Sequence, residues 1–190
     1  MSRPRKSDVL RDTAGRSRGE PPHLVRAVAL AQRARHVGAE HADNPLASHA
    51  LGRLRLRFQS QGPADPCSIS AEQYEAGERY ATIATQHAGI MGYAIGVPQS
   101  AVLEVAASGA ACREEPDDDQ VQRVRKLFTD CHRVLIDAGR AIGQGVKVAL
   151  VTYDICLDRR AMETLTAQDL GNLKVGLNAL ARLFRGQRGN

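Results

Sequence analysis

The polar side of the last amphipathic segment carries Asn172, Lys174, Asn178, Arg182 and Arg185, with Gln168 near its start. Carboxamides can bridge an adenine edge, and an ammonium or guanidinium can reach guanine or a phosphate. The chemistry on offer is therefore recognition of nucleic acid rather than bond making. Arg159 and Arg160 stand just before this segment in a polar turn. A second group of cations, Arg3, Arg5, Lys6, Arg11, Arg16 and Arg18, lies at the other end of the chain. On a mobile arm such charges track phosphates or enter a minor groove, with a grip that depends on salt and ignores sequence. The bland alternatives are a solvated helix face at one end and a solubilising leader at the other.

Other chemistry has little to stand on. Gly139, Gly143 and Gly145 are not followed by the Gly-Lys-Ser/Thr of a phosphate loop and fit helix-ending positions better. Cys131 and His132 are adjacent, so on a helix they point about 100° apart and do not form a nucleophile and base. The six histidines, His23, His36, His41, His49, His87 and His132, are scattered, and His36 and His41 miss the four-residue step that puts two ligands on one helical face. Glu72, Glu75 and Glu78 cluster on one side of a helix as a solvated or docking face. The expectation is no enzyme activity, no cofactor and no metal.

The whole chain has 190 residues, 26 basic against 21 acidic, for a net charge of +5 and a pI near 9.3. This is compatible with a polyanionic partner and too mild to require one. Charge is unevenly placed: 12 basic and 5 acidic residues up to Gly62, 2 and 10 from Pro63 to Asp119, then 12 and 6 to the end. An acidic middle between basic ends can leave one face positive, or can pair with those ends inside the chain. Tryptophan is absent and only 4% of residues are aromatic, so the core must be aliphatic. The polar, basic start lacks the apolar stretch of a secretory signal, and Tyr80–Leu103 is interrupted by glycines and Pro98, so a cytoplasmic protein with no membrane span is expected. Cys67, Cys112, Cys131 and Cys156 have no close pair and read as reduced thiols.

The elements that must position these groups are helical. Residues 1–22 are too poor in large apolar side chains to order and read as a basic arm. Leu24, Val28, Ala31 and Ala34 set a helical step over 23–39, with Arg26, Arg33 and Arg35 elsewhere on the wheel. Asn44-Pro45 starts the next helix, which Leu46, Leu51, Leu54 and Phe58 continue, although residues 51–58 also alternate as a strand would. Ser70 and Gln73 form a capping box, with Ile69 and Tyr74 as its hydrophobic staple, so a long helix begins at Ala71 and fades near 89–92. Residues 93–116 read as an acidic linker between a helical N-terminal region (23–92) and a C-terminal domain (117–190).

In that domain Val121, Val124, Phe128, Cys131, Leu135, Ala138 and Ile142 form the cleanest apolar stripe of the chain. Residues 146–157 suit a buried helix or a strand, and helix is preferred because no partner strand is near. Thr166 to Asp169 caps a last helix through Phe184, whose stripe is Leu170, Leu173, Leu177, Leu180 or Ala181, and Phe184. The predicted class is all-α, with a C-terminal three-helix unit of helix-turn-helix type and residues 167–184 as its recognition helix. The connector of about eight residues is longer than the three or four of a tight turn.

The segments NPLASHALGRL, ISAEQYEAGERYA and LTAQDLGNLKVGLNALARLF together resemble a group of uncharacterised proteins encoded in prophages and gene-transfer-agent-like regions of alphaproteobacteria. The C-terminal parts of that group are similar to the DNA-binding helices of sigma factors and phage late-gene regulators. The resemblance runs from Asn44 onward and implies a phage or prophage transcription regulator, with recognition carried by Lys174, Asn178 and Arg182. The compact glycine-containing turn of that group is missing here. The expected partner is duplex DNA. The alternatives are a helical adaptor binding RNA polymerase or another protein, and a packaging protein like a phage small terminase subunit; a homodimer suits all three.

Overall fold

The computed structural model describes residues 22–92 and 117–187. Regular structure among them is entirely helical: α1 (Pro22–Val37), α2 (Ala50–Gln61), α3 (Ala71–Met91), α4 (Asp118–Ala141), α5 (Lys147–Cys156) and α6 (Ala167–Gln187), with short 3-10 turns at Ala39–His41, Pro45–Ser48 and Met162–Thr164. Both segments left open between helix and strand, 51–58 and 146–157, are helical. The basic arm, including Arg3, Arg5 and Lys6, and the linker 93–116 lie outside the described residues.

The chain divides between Asp43 and Asn44. In the first unit α1 ends where the Gly38 N–H donates to the Ala34 carbonyl at 2.9 Å, and Gly38 at φ 85° turns the chain into a 3-10 turn. The stripe expected to be buried is open at its start, with Leu24 48% and Val28 57% exposed.

The second unit has one aliphatic core. Asn44 does cap, accepting from the Leu46 N–H at 3.0 Å, but it starts only the 3-10 turn. The helix proper begins five residues later, where His49 Nδ1 accepts from the Gly52 N–H at 3.0 Å. The capping box is complete: Ser70 Oγ accepts from the Gln73 N–H at 3.2 Å, and Gln73 Oε1 from the Ser70 N–H at 2.9 Å. Thr166 and Asp169 form the same reciprocal pair at the start of α6, at 3.1 and 3.2 Å. Asp158, at φ 52°, takes the left-handed conformation that Asp tolerates better than most residues, and its carboxylate accepts from the Ala50 N–H at 2.9 Å, tying the end of α5 to the start of α2.

Helix α6 is the centre of this unit and packs against α3, α4 and α5. Leu173, Leu177 and Leu180 are fully buried, together with Leu135 of α4, Val148 of α5 and Tyr80 of α3. Residues expected in two separate halves therefore share one core. At about 25 cal/mol per Å² of apolar surface, each such leucine contributes roughly 2 to 3 kcal/mol of burial. The α4 stripe is buried only at its middle, Cys131 and Leu135, while its last member, Ile142, is 44% exposed.

One buried group works against this packing. The Tyr80 hydroxyl is enclosed with no hydrogen-bond partner among the described residues, and its burial raises the phenol pKa far above the usual value. An enclosed unpaired hydroxyl costs about 1 kcal/mol or more. Tyr80→Phe should therefore raise the midpoint of thermal unfolding, followed by circular dichroism, by about 3 °C. A lowered midpoint would show that the hydroxyl is satisfied.

Candidate nucleic-acid interface

On α6, Lys174, Asn178, Arg182 and Arg185 follow one another at steps of four, four and three residues. At about 100° per residue these positions fall within about 80° of one another and run roughly 16 Å along the helix. Asn178, Arg182 and Arg185 are exposed and Lys174 is half-buried. This stripe forms an edge of α6 that the start of α3 reaches at Asn178 and Arg185 and that is open at Arg182.

Other residues expected at the interface lie elsewhere. Asn172 is 1% exposed, and its side-chain oxygen accepts from Gln168 Nε2 at 3.3 Å. Asn172 is thus a core residue, which corrects its placement on the wet side. Sequence spacing missed this because the helix is covered on three sides, so residues adjoining the apolar stripe are also enclosed. Arg160 is committed within the chain, donating to Asp169 at 2.8 Å and to the Thr164 carbonyl at 2.9 Å. Arg159 is exposed, with its guanidinium 5.5 Å from the centre of the Tyr153 ring.

The stripe has neighbours that sequence reasoning did not place beside it. Gln73, while capping α3 with its carbonyl oxygen, donates its amide to Asn178 Oδ1 at 3.0 Å. Glu72 pairs with Arg185, and Glu72 and Glu75 line a small cleft with Arg79, Phe184 and Arg185. Arg79 stacks on Phe184, 4.3 Å from the ring centre, and donates to Gln187 at 2.9 Å. Asp65, held by Arg57 at 2.9 Å, lies in the field of Lys174. Arg182 has no hydrogen bond or ion pair among the described residues and is the least committed cation of the stripe. The glutamates were legible as one acidic face; a single sequence carries no signal that α3 packs on α6.

Electrostatics elsewhere is structural. The Cys67 N–H and Arg57 lower the Asp65 pKa against the cost of burial. For Asp169, burial acts to raise the pKa, but Thr166 and Arg160 together outweigh it and lower it. Burial raises the Cys131 pKa to about 12 and that of Cys156 further, so both are inert thiols at neutral pH. Among the described residues no group of three or more His, Cys, Asp or Glu side chains could hold a metal ion.

His87 of α3 stacks on Phe128 of α4 with ring centres 4.1 Å apart, and burial, then Arg125, lowers its pKa. The unfolded chain therefore binds this proton more readily than the folded one. The stabilisation is complete above the ordinary histidine value of about 6.5 and is lost as pH falls from there through the lowered folded value. Thermal midpoints should fall across that interval, and His87→Phe, which keeps the stack, should flatten the decline. A wild-type midpoint that does not move over that interval would contradict this.

No protein-family model, curated protein or solved structure matches the chain. No helix among the described residues is long and apolar enough to cross a membrane.

Proposed function

We propose that the chain is a DNA-binding regulator of phage or prophage type that lays the exposed edge of α6 along the phosphates of a duplex. The observation that carries this reading is the alignment of Lys174, Asn178, Arg182 and Arg185 along one exposed to half-buried edge of α6. Cations so aligned neutralise successive phosphates, and an exposed carboxamide adds a neutral contact. In this reading α5 and α6 are the pair of a helix-turn-helix type unit, with Arg159 at the turn and the basic arm as a second grip. The phage or prophage setting rests on the likeness of the three segments quoted above.

Packing limits the kind of contact. A helix flanked on three sides cannot sink into a major groove about 12 Å wide in the way a protruding recognition helix does. Gln168 and Asn172 bond to each other. Contacts to phosphate should thus outweigh contacts to base edges, giving strong salt dependence and weak sequence preference. The test is fluorescence anisotropy of a labelled mixed-sequence duplex titrated with the full chain over a salt series. Affinity that falls steeply with salt supports the reading, and no binding at the lowest salt removes it.

A second reading, an adaptor for RNA polymerase or another protein, is favoured by a different feature. Val146 and Leu150 stand four residues apart at the start of α5, both 57% exposed, and Ile142 at the end of α4 is 44% exposed. Large apolar side chains grouped on a surface are common at sites of protein contact.

A further inference from the structure

We infer that the ion pair between Glu72 and Arg185 is an autoinhibitory contact, in which α3 supplies a carboxylate that a polyanion must displace to gain the last cation of the α6 stripe. The inference rests on the phosphate-binding reading above and concerns the regulation of that same edge. Glu72 lies in the first turn of α3, and its partner lies near the end of α6. The two side chains are 54% and 70% exposed, so the pair is bathed in solvent and open to competition.

Three features make the contact inhibitory rather than incidental. Arg185 is a member of the aligned stripe, so a carboxylate on it removes one of the charges that would meet phosphate. Glu75, three residues from Glu72, lines the same cleft and adds a second negative charge beside Arg185. Arg79, which lines the same cleft, is stacked on Phe184 and donates to Gln187, and no ion pair joins it to Glu72 among the described residues. A phosphate approaching this end of the stripe meets two carboxylates, the paired Arg185 and the stacked Arg79, whereas at Arg182 it meets an uncommitted guanidinium. Bound nucleic acid would exchange the internal pair for an Arg185–phosphate contact and leave Glu72 to solvent.

The experiment is anisotropy of the same labelled duplex with the full chain, comparing wild type, Glu72→Gln, Arg185→Gln and the double variant. Circular dichroism melts check that each is folded. Glu72→Gln should tighten binding about three- to tenfold at low salt, because Arg185 then meets phosphate without first giving up a carboxylate. In the Arg185→Gln background most of that gain should vanish. If wild type binds and Glu72→Gln binds no better, the autoinhibitory contact is wrong while the phosphate-binding reading stands. An undiminished gain in the Arg185→Gln background also overturns it, since the effect would then be one of overall charge. Failure of both wild type and Glu72→Gln to bind at low salt overturns both.

Discussion

Replacing Lys174, Arg182 and Arg185 together by glutamine is expected to weaken binding to a mixed-sequence duplex by roughly a hundredfold at low salt, and to reduce the slope of log affinity against log salt by about 2.7. Each cation that neutralises a phosphate releases about 0.9 of a counterion, so three of them account for that slope. The residues are exposed or half-exposed on the rim of α6, away from its buried leucines, so the variant should melt close to wild type. Loss of binding with an unchanged melt assigns the effect to charge. The arm would sustain the residual affinity, and the control substitution Arg160→Gln, at a cation already committed to Asp169, should change affinity far less.

Gly139→Ala is the second large effect, and it acts on folding. The Gly139 carbonyl accepts N–H groups from Ile142, Gln144 and Gly145, at 3.3, 2.8 and 3.0 Å, which folds the corner between α4 and α5 back onto the helix. A Cβ at this position would collide with the backbone carbonyl of Gly145 and press on Val148. The obstacle is main chain, so no side-chain rotation can relieve it. The corner would have to open, exposing part of the packing of α5 on α6. A loss of about 3 kcal/mol is expected, or a fall of roughly 6 to 12 °C in the thermal midpoint. Gly171→Ala is the matching control, because no atom lies within 4 Å of the added methyl in an exposed stretch of α6. It should raise stability by about 0.5 to 1 kcal/mol through helix propensity. A Gly139→Ala protein that melts like wild type would contradict the account of this corner.

Much of the fold was legible because local chemistry decided it. The capping residues Ser70 with Gln73 and Thr166 with Asp169 mark helix starts in the sequence and perform that role in three dimensions. The periodic leucines of α6 are buried as their spacing requires. The failures share a cause. Asn44 and Pro45 carry a helix-start signal, yet His49 supplies a second cap five residues on, and the chain uses the first for a single 3-10 turn. Leu24 and Val28 have helical spacing but remain exposed, since spacing specifies a face and not what covers it.

The candidate interface was half legible for the same reason. Residues on the far side of the apolar stripe, Asn178, Arg182 and Arg185, are exposed as expected. Asn172 is enclosed by neighbouring elements, which only tertiary packing decides, and Arg160 pairs locally with Asp169, nine residues on in the first turn of α6. The position of Glu72 and Glu75 beside the stripe depends on how α3 crosses α6, which involves residues more than a hundred positions apart.

The central claim, that the exposed edge of α6 grips phosphate, is tested most directly by the salt dependence of duplex binding by the unmodified chain. A fourfold rise in salt should weaken it about 40-fold more than it weakens binding by the variant with Lys174, Arg182 and Arg185 replaced by glutamine, the consequence of three phosphates neutralised by α6 and not by the arm. Binding that is absent at the lowest salt, or that holds its strength across the series, would contradict it.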